Sequence, residues 1–189
     1  GGEYNVAVGN YTLDALTSGD DNIAIGYNAG TAITSGFNNT LIGKNAGQAI
    51  TTGSRNTFVG YQAGDGFDGE THNVGVGENA LGGPIAGGEY NVAVGSNTLD
   101  ALTSGDYNVA VGYGSGGAIT TGGGNIFMGY DAAASRTEGG DSVFLGYRAG
   151  HGCTTGNDIV FIGKNAGDGH DTEGNNLGIG TNALGGSIA

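Results

Sequence analysis

The sequence predicts an all-β protein, a parallel β-solenoid (β-roll) of eleven 17-residue coils, each adding one strand to a single stack. Three observations carry that prediction. A glycine closes a short β-prone tetrad at Gly9, Gly26, Gly43, Gly60, Gly77, Gly95, Gly112, Gly129, Gly146, Gly163 and Gly180; the step is 17 residues throughout, apart from 18 between Gly77 and Gly95. The residue before that glycine is aliphatic or Met in every copy. Of 189 residues 44 are glycine and one is proline, with 12% charged against 37% hydrophobic, a balance that excludes both collagen and a disordered solvating tail.

Each repeat is numbered here from the first residue of its tetrad. Position 1 is Asn, apart from Ser142 and Ile159. Positions 2 and 4 are Val, Ile, Leu, Met or Thr, side chains that suit one face of an extended strand. Position 5 is the glycine, whose backbone freedom serves the corner after the strand. Position 8 is always small, Ala, Thr or Ser, and a further glycine is usual near position 15. A unit this short cannot bury its own apolar face, so it must stack on its neighbours. At about 4.8 Å per coil the stack makes a rod on the order of 50 Å long.

A longer period lies above the coils. Residues 1–27 match residues 87–113 at 22 of 27 positions, and the segment ending Asn182-Ala-Leu-Gly-Gly-Ser-Ile-Ala189 echoes Asn79-Ala-Leu-Gly-Gly-Pro-Ile-Ala86. The chain therefore reads as a single repeat domain over 1–189, with superblocks 1–86 and 87–189, and as a segment of a longer fibre.

Position 3 should alternate to the opposite side of the strand from positions 2 and 4, which in a lone solenoid is the side that meets water. It carries no polar residue: it holds Leu41, Phe58, Phe127, Phe144 and Phe161 among Ala and Gly. A continuous exposed apolar stripe marks an interface, so these five residues are read as a self-association stripe buried in a closed homotrimer.

Runs such as Asn22-Ile-Ala-Ile-Gly-Tyr-Asn-Ala-Gly30 and Asn39-Thr-Leu-Ile-Gly-Lys-Asn-Ala-Gly47 resemble repeats in the head domains of trimeric autotransporter adhesins, and equally repeats of phage tail-fibre proteins. The resemblance covers essentially the whole chain. It implies a trimeric, left-handed parallel β-roll in an extracellular, cell-surface or virion fibre.

Several residue columns are candidate sites. Asn5, Asn22, Asn39, Asn56, Asn73, Asn91, Asn108, Asn125 and Asn176 stack at strand spacing, so their amides are read as a structural hydrogen-bonded ladder rather than a row of ligand-binding groups. Tyr113, Tyr130 and Tyr147 fall on consecutive coils at position 6, where Tyr27 and Tyr61 also stand. They form a surface aromatic row that either covers the sheet or stacks against the sugar rings of a cell-surface glycan or host receptor. Positions 13 and 14 carry Thr/Ser pairs such as Thr17-Ser18, Thr51-Thr52 and Thr120-Thr121, the basis of an alternative reading as a monomeric ice-binding solenoid. Acidic loops, among them Asp65, Asp68 and Glu70, offer oxygen ligands for calcium but lack an EF-hand pattern, and a solvated acidic edge is the favoured reading. Cys153 and His170 share position 12, and His151 and Asp168 share position 10, which would bring the four together. No cofactor is expected.

Five basic against 18 acidic residues give a formal charge of −13, which disfavours nucleic acid and anionic membranes as partners. No apolar run approaches the roughly 20 residues that span a bilayer, and the opening residues do not read as a signal peptide. The lone Cys153 has no partner for an internal disulfide. No set of acid, base and nucleophile recurs, so enzymatic activity is not expected. The reading is a structural shaft or head segment of a fibre that displays or mediates adhesion.

Overall fold

The computed structural model describes residues 1–83, 87–169 and 172–186. Its strands are β1 (Val6–Val8), β2 (Ile23–Ile25), β3 (Thr40–Ile42), β4 (Thr57–Val59), β5 (Val74–Val76), β6 (Val92–Val94), β7 (Val109–Val111), β8 (Ile126–Met128), β9 (Val143–Leu145), β10 (Val160–Ile162) and β11 (Leu177–Ile179). They form one parallel sheet in chain order, each strand paired with the next. Pairing is in register with the repeat: Ala7 faces Ala24, Leu41 faces Phe58, and Phe127 faces Phe144. The 18-residue step keeps this register, since Gly75 still faces Ala93, so the extra residue is absorbed in the loop between β5 and β6. The described residues form no helix.

The turns explain why the sequence needs so much glycine. At Gly43 the chain adopts φ +138°, and a Cβ there would collide with the carbonyl of Gly60 on the next coil. Positions 7, 9 and 17 take left-handed backbone in most coils, filled by Asn, Asp or Gly where those residues occur. Position 9 also forces Leu into that conformation, at Leu13, Leu81, Leu99 and Leu184, with φ between 50° and 52° at three of them and 55° at Leu81. A bulky residue there costs on the order of 1–2 kcal/mol, so packing must repay it.

The packing is a pairing of positions 3 and 9 in the same coil. In four of the six coils where position 3 is small, position 9 is Leu: Ala7 with Leu13, Gly75 with Leu81, Ala93 with Leu99, and Gly178 with Leu184. Where position 3 is large, position 9 shrinks: Leu41 with Gly47, Phe58 with Gly64, Phe127 with Ala133, Phe144 with Gly150, and Phe161 with Gly167. A Cβ at Gly64, Gly150 or Gly167 would run into the ring of its own coil's Phe. Two coils are small at both places, Ala24 with Gly30 and Ala110 with Gly116. There the side chains of neighbouring coils fill the space, since a Cβ at Gly30 would meet Leu13 and Leu41, and one at Gly116 would meet Leu99 and Phe127. Position 12 adds Ile33, Ile50, Phe67, Leu102 and Ile119 to the same core.

This arrangement corrects the self-association stripe. Leu41, Phe58, Phe127, Phe144 and Phe161 are all 0% exposed within the single chain, so position 3 points into the coil and not toward a partner. Position 1 decides the direction. The Asn amide bonds to backbone inside the coil, and strict alternation then turns positions 1 and 3 inward and positions 2 and 4 outward. The three phenylalanines of β8 to β10 touch one another as core rings, with centroids 5.8 and 5.7 Å apart.

Candidate self-association face and surface columns

Positions 2 and 4 make an outer face that is almost wholly aliphatic. Val6, Ile23, Val74, Val92, Val109, Ile126, Val143, Val160 and Leu177 form one column, interrupted by Thr40 and Thr57; Val8, Ile25, Ile42, Val59, Val76, Val94, Val111, Met128, Leu145, Ile162 and Ile179 form the other. Many are solvent-exposed even mid-rod, where Val94 is 38% and Met128 42% accessible. Isolated surface hydrophobics are ordinary, but two adjacent columns running over eleven strands are not.

Exposed side chains border this face on both sides. Two residues before each strand, at position 17 or at position 18 of the long repeat, stand Asp21, Arg55, His72, Tyr90, Tyr107, Asp141 and Asp158 among others, called here the leading rim. After each strand, position 6 carries Tyr27, Lys44, Tyr61, Glu78, Tyr113, Tyr130, Tyr147 and Lys164 among others, the trailing rim. Aromatic rings stack along both. His72 and Tyr90 lie 4.7 Å apart and Tyr90 and Tyr107 5.2 Å apart, each nearly parallel. On the trailing rim Tyr113, Tyr130 and Tyr147 stack at 5.5 and 5.3 Å, and the Lys164 ammonium covers the Tyr147 ring at 5.8 Å. Stacking spends the ring faces on one another, so the row presents edges and hydroxyls, whereas a sugar ring needs an open face. The Asp131 charge, more than any other neighbour, holds the Tyr130 hydroxyl above the usual phenol range.

The asparagine column is a ladder in the literal sense. Asn22 Oδ1 accepts from the backbone N–H of Asn39 at 3.0 Å and from its amide Nδ2 at 3.0 Å, while Asn39 Nδ2 also donates to the Gly53 carbonyl at 2.9 Å. The pattern repeats at Asn91, Asn108 and Asn125. Asn56 and Asn73 continue the backbone part of the ladder, each donating its N–H to the preceding amide oxygen at 3.0 Å. Asn176 Nδ2 donates to the Glu173 carbonyl at 3.4 Å.

The amide part of the ladder stops where Ser142 and Ile159 replace Asn, although the Ser142 N–H still donates to Asn125 Oδ1 at 3.2 Å, and Arg136 fills part of the gap. Its Nη2 donates to the Gly156 carbonyl at 2.5 Å, the oxygen fourteen residues on from position 1 that an Asn amide would otherwise engage, and to Ser142 Oγ at 3.3 Å. Ser142 Oγ in turn accepts from the Ile159 N–H at 3.1 Å. Arg136 is 0% exposed with its guanidinium over the Phe144 ring, and burial lowers its pKa to about 10, leaving it cationic at neutral pH. Nothing in the sequence alone distinguishes this arginine from a surface one except that it occupies the position of Ile33, Ile50 and Ile119.

Position 16 adds isolated rungs of the same kind. Asp20 Oδ1 accepts from the Glu3 N–H at 2.7 Å, Asp106 Oδ1 from the Glu89 N–H at 2.8 Å, and Asn157 Oδ1 from the Gly140 N–H at 2.8 Å. Part of the acidic loop population is thus committed to backbone. Glu70 behaves likewise, accepting from the N–H groups of Asp68 and Gly87. Among the described residues no group of three or more His, Cys, Asp and Glu side chains is placed to hold a metal ion.

The remaining candidates separate. The Thr17, Thr34, Thr103, Thr120 and Thr137 hydroxyls each donate to the carbonyl of the threonine one coil on, so their protons are turned along the rod. His151 lies 3.6 Å from Asp168 and 3.2 Å from Arg148, whereas Cys153 is buried in the core with its thiol directed to the Gly167 carbonyl; His170 lies outside the described residues. A shallow cleft of about 460 Å³ opens over loop residues Glu138, Thr155, Asn157 and Asp158. Comparison with family models, with curated proteins and with solved structures gives no match for this chain.

Proposed function

We propose that the chain is a structural shaft or head segment of an extracellular or virion fibre, a left-handed β-roll assembled as a homotrimer that displays or mediates adhesion. The observation that carries this reading is the exposed aliphatic face of positions 2 and 4. A face on the order of 50 Å long and 20 Å wide, rim to rim, offers roughly 1,000 Å² per chain, above the roughly 800 Å² per partner of a standard interface. A closed ring of identical chains covers such a face on every subunit at once. The repeat resemblance to adhesin heads and tail fibres supports the same reading, and the stacked tyrosines stiffen the rims without offering a sugar platform.

The test places a charge on the face. Val111→Asp and Val94→Asp are expected to convert the assembly to monomers that keep their β signal in circular dichroism, because both side chains point outward. An unchanged mass in both variants would contradict the reading.

A further inference from the structure

The two ends of the rod fit each other, and we infer that copies of this chain stack end to end, the coil of β11 in one against the coil of β1 in the next. This contact uses strand edges and the open ends of the core, so it is separate from the self-association through the aliphatic face. The chain carries its own template for it, the junction between the coils of β5 and β6. Residues 176–186 match residues 73–83 at 8 of 11 positions, differing only at positions 2, 4 and 6, and residues 1–27 match residues 87–113 at 22 of 27. In the template the Val74 N–H donates to the Asn91 carbonyl and the Gly95 N–H to the Val76 carbonyl, each at 2.8 Å. Asn73 Nδ2 donates to the Gly88 carbonyl at 3.0 Å. In the stack the Leu177 N–H meets the Asn5 carbonyl of a second copy, the Gly9 N–H of that copy meets the Ile179 carbonyl, and Asn176 Nδ2 meets its Gly2 carbonyl. These are backbone groups and a retained asparagine, so the outward Val-to-Leu and Val-to-Ile differences leave them unchanged.

Two observations point to a second copy as the occupant. Leu184 is 44% exposed at the open end of the core, whereas its template counterpart Leu81 is 0% exposed, and Ala7 is exposed where Ala93 is buried. The second observation concerns glycine. A Cβ at Gly83 would strike the Asp100 carbonyl of the next coil, yet at its counterpart Gly186 a Cβ would meet nothing within 4 Å. The Gly186 backbone also lies outside the left-handed region, so the described residues give no steric reason for glycine there. Asp14 of a second copy, the counterpart of Asp100, supplies one. An unpaired strand edge is a ready template for another chain, and here the register is already written in the repeat. One 17-residue coil is smaller than the roughly 20–30 residues a side of a standard interface, so the stack is expected to form at about millimolar chain concentration and to part at micromolar.

The test is cross-linking between the two ends. Asn10 and Thr181 are exposed at position 6 of the end coils, and position-6 rings on neighbouring coils stand 5.5 and 5.3 Å apart. Within one chain the two sites lie on the order of 50 Å apart, beyond a short bis-maleimide. Asn10→Cys with Thr181→Cys, in a Cys153→Ala and Val111→Asp background at about millimolar concentration, is expected to give a covalent ladder reaching past the dimer on denaturing gels. Neither single cysteine variant should pass the dimer. Adding Gly186→Val, for which the isolated chain has room, is expected to cut the ladder at least about tenfold by blocking the stack. The same dependence on Gly186→Val is expected without Val111→Asp, which keeps the test valid should that variant misfold. Products no longer than dimers, or a ladder indifferent to Gly186→Val, would overturn the end-to-end contact. The mass of Val111→Asp at micromolar concentration judges the aliphatic face separately, so the two readings fail independently.

Discussion

Asn108 shows how much one side chain can do in a solenoid. Its Nδ2 donates to Asn91 Oδ1 at 3.1 Å and to the Gly122 carbonyl at 2.9 Å, and its Oδ1 accepts from both the backbone N–H and the amide of Asn125. Asn108→Leu fills the space but strands buried donors and acceptors on two neighbouring coils, each worth about 1–3 kcal/mol. The expected loss is about 2–4 kcal/mol in urea unfolding, and a loss below 1 kcal/mol would mean that the ladder is ornamental. Asp100 tests the opposite case. Burial, followed by the charge of Asp65, raises its carboxyl above the ordinary value of 3.8. A carboxyl raised in the fold is most stabilising when protonated, below that ordinary value, and its contribution is lost as pH rises through the raised one. Asp100→Asn is therefore expected to melt higher than the parent at pH 7, with the difference shrinking as pH falls through the window just above 3.8. A constant difference across that window would exclude the electrostatic cause.

Within one coil the decisive unit is the pair of positions 3 and 9. Phe144→Ala alone opens a cavity, expected to cost about 3–4 kcal/mol. Gly150→Leu alone drives a side chain into the Phe144 ring and is expected to cost at least 2 kcal/mol. The combination reproduces the Ala93–Leu99 arrangement found in the same chain, so it is expected to be more stable than the sum of the two losses by more than 1 kcal/mol. Additive losses would show that the two positions do not share one space. This pairing also explains what was and was not legible. Period, strand tetrads, parallel stacking and the in-register asparagine column could all be read from spacing. The orientation of the strand could not, because β-branched side chains at positions 2 and 4 suit either face, and the Ala, Gly and Phe of position 3 look irregular until position 9 is set beside them. Asparagine held the missing signal: a column whose amides must satisfy buried backbone points inward and carries position 3 with it. Phe144→Asp therefore probes folding of the coil rather than association.

At the scale of the molecule, the chain behaves as a one-dimensional array whose apolar interior is closed within the coils and whose aliphatic face is left outside. Coils contact their neighbours through the sheet, the asparagine ladder and the core, so stability accumulates along the rod. These contacts leave Val94 and Met128 exposed. A charge of −13 opposes bringing copies together, so raising ionic strength is expected to tighten association through the aliphatic face. The molar mass of the unmodified chain, by light scattering after size exclusion, addresses this claim most directly. Three times the chain mass of 18.5 kDa, held on dilution to micromolar concentration, is the predicted result. A stable monomer of 18.5 kDa at every concentration would contradict it, because the aliphatic face would then be meeting water.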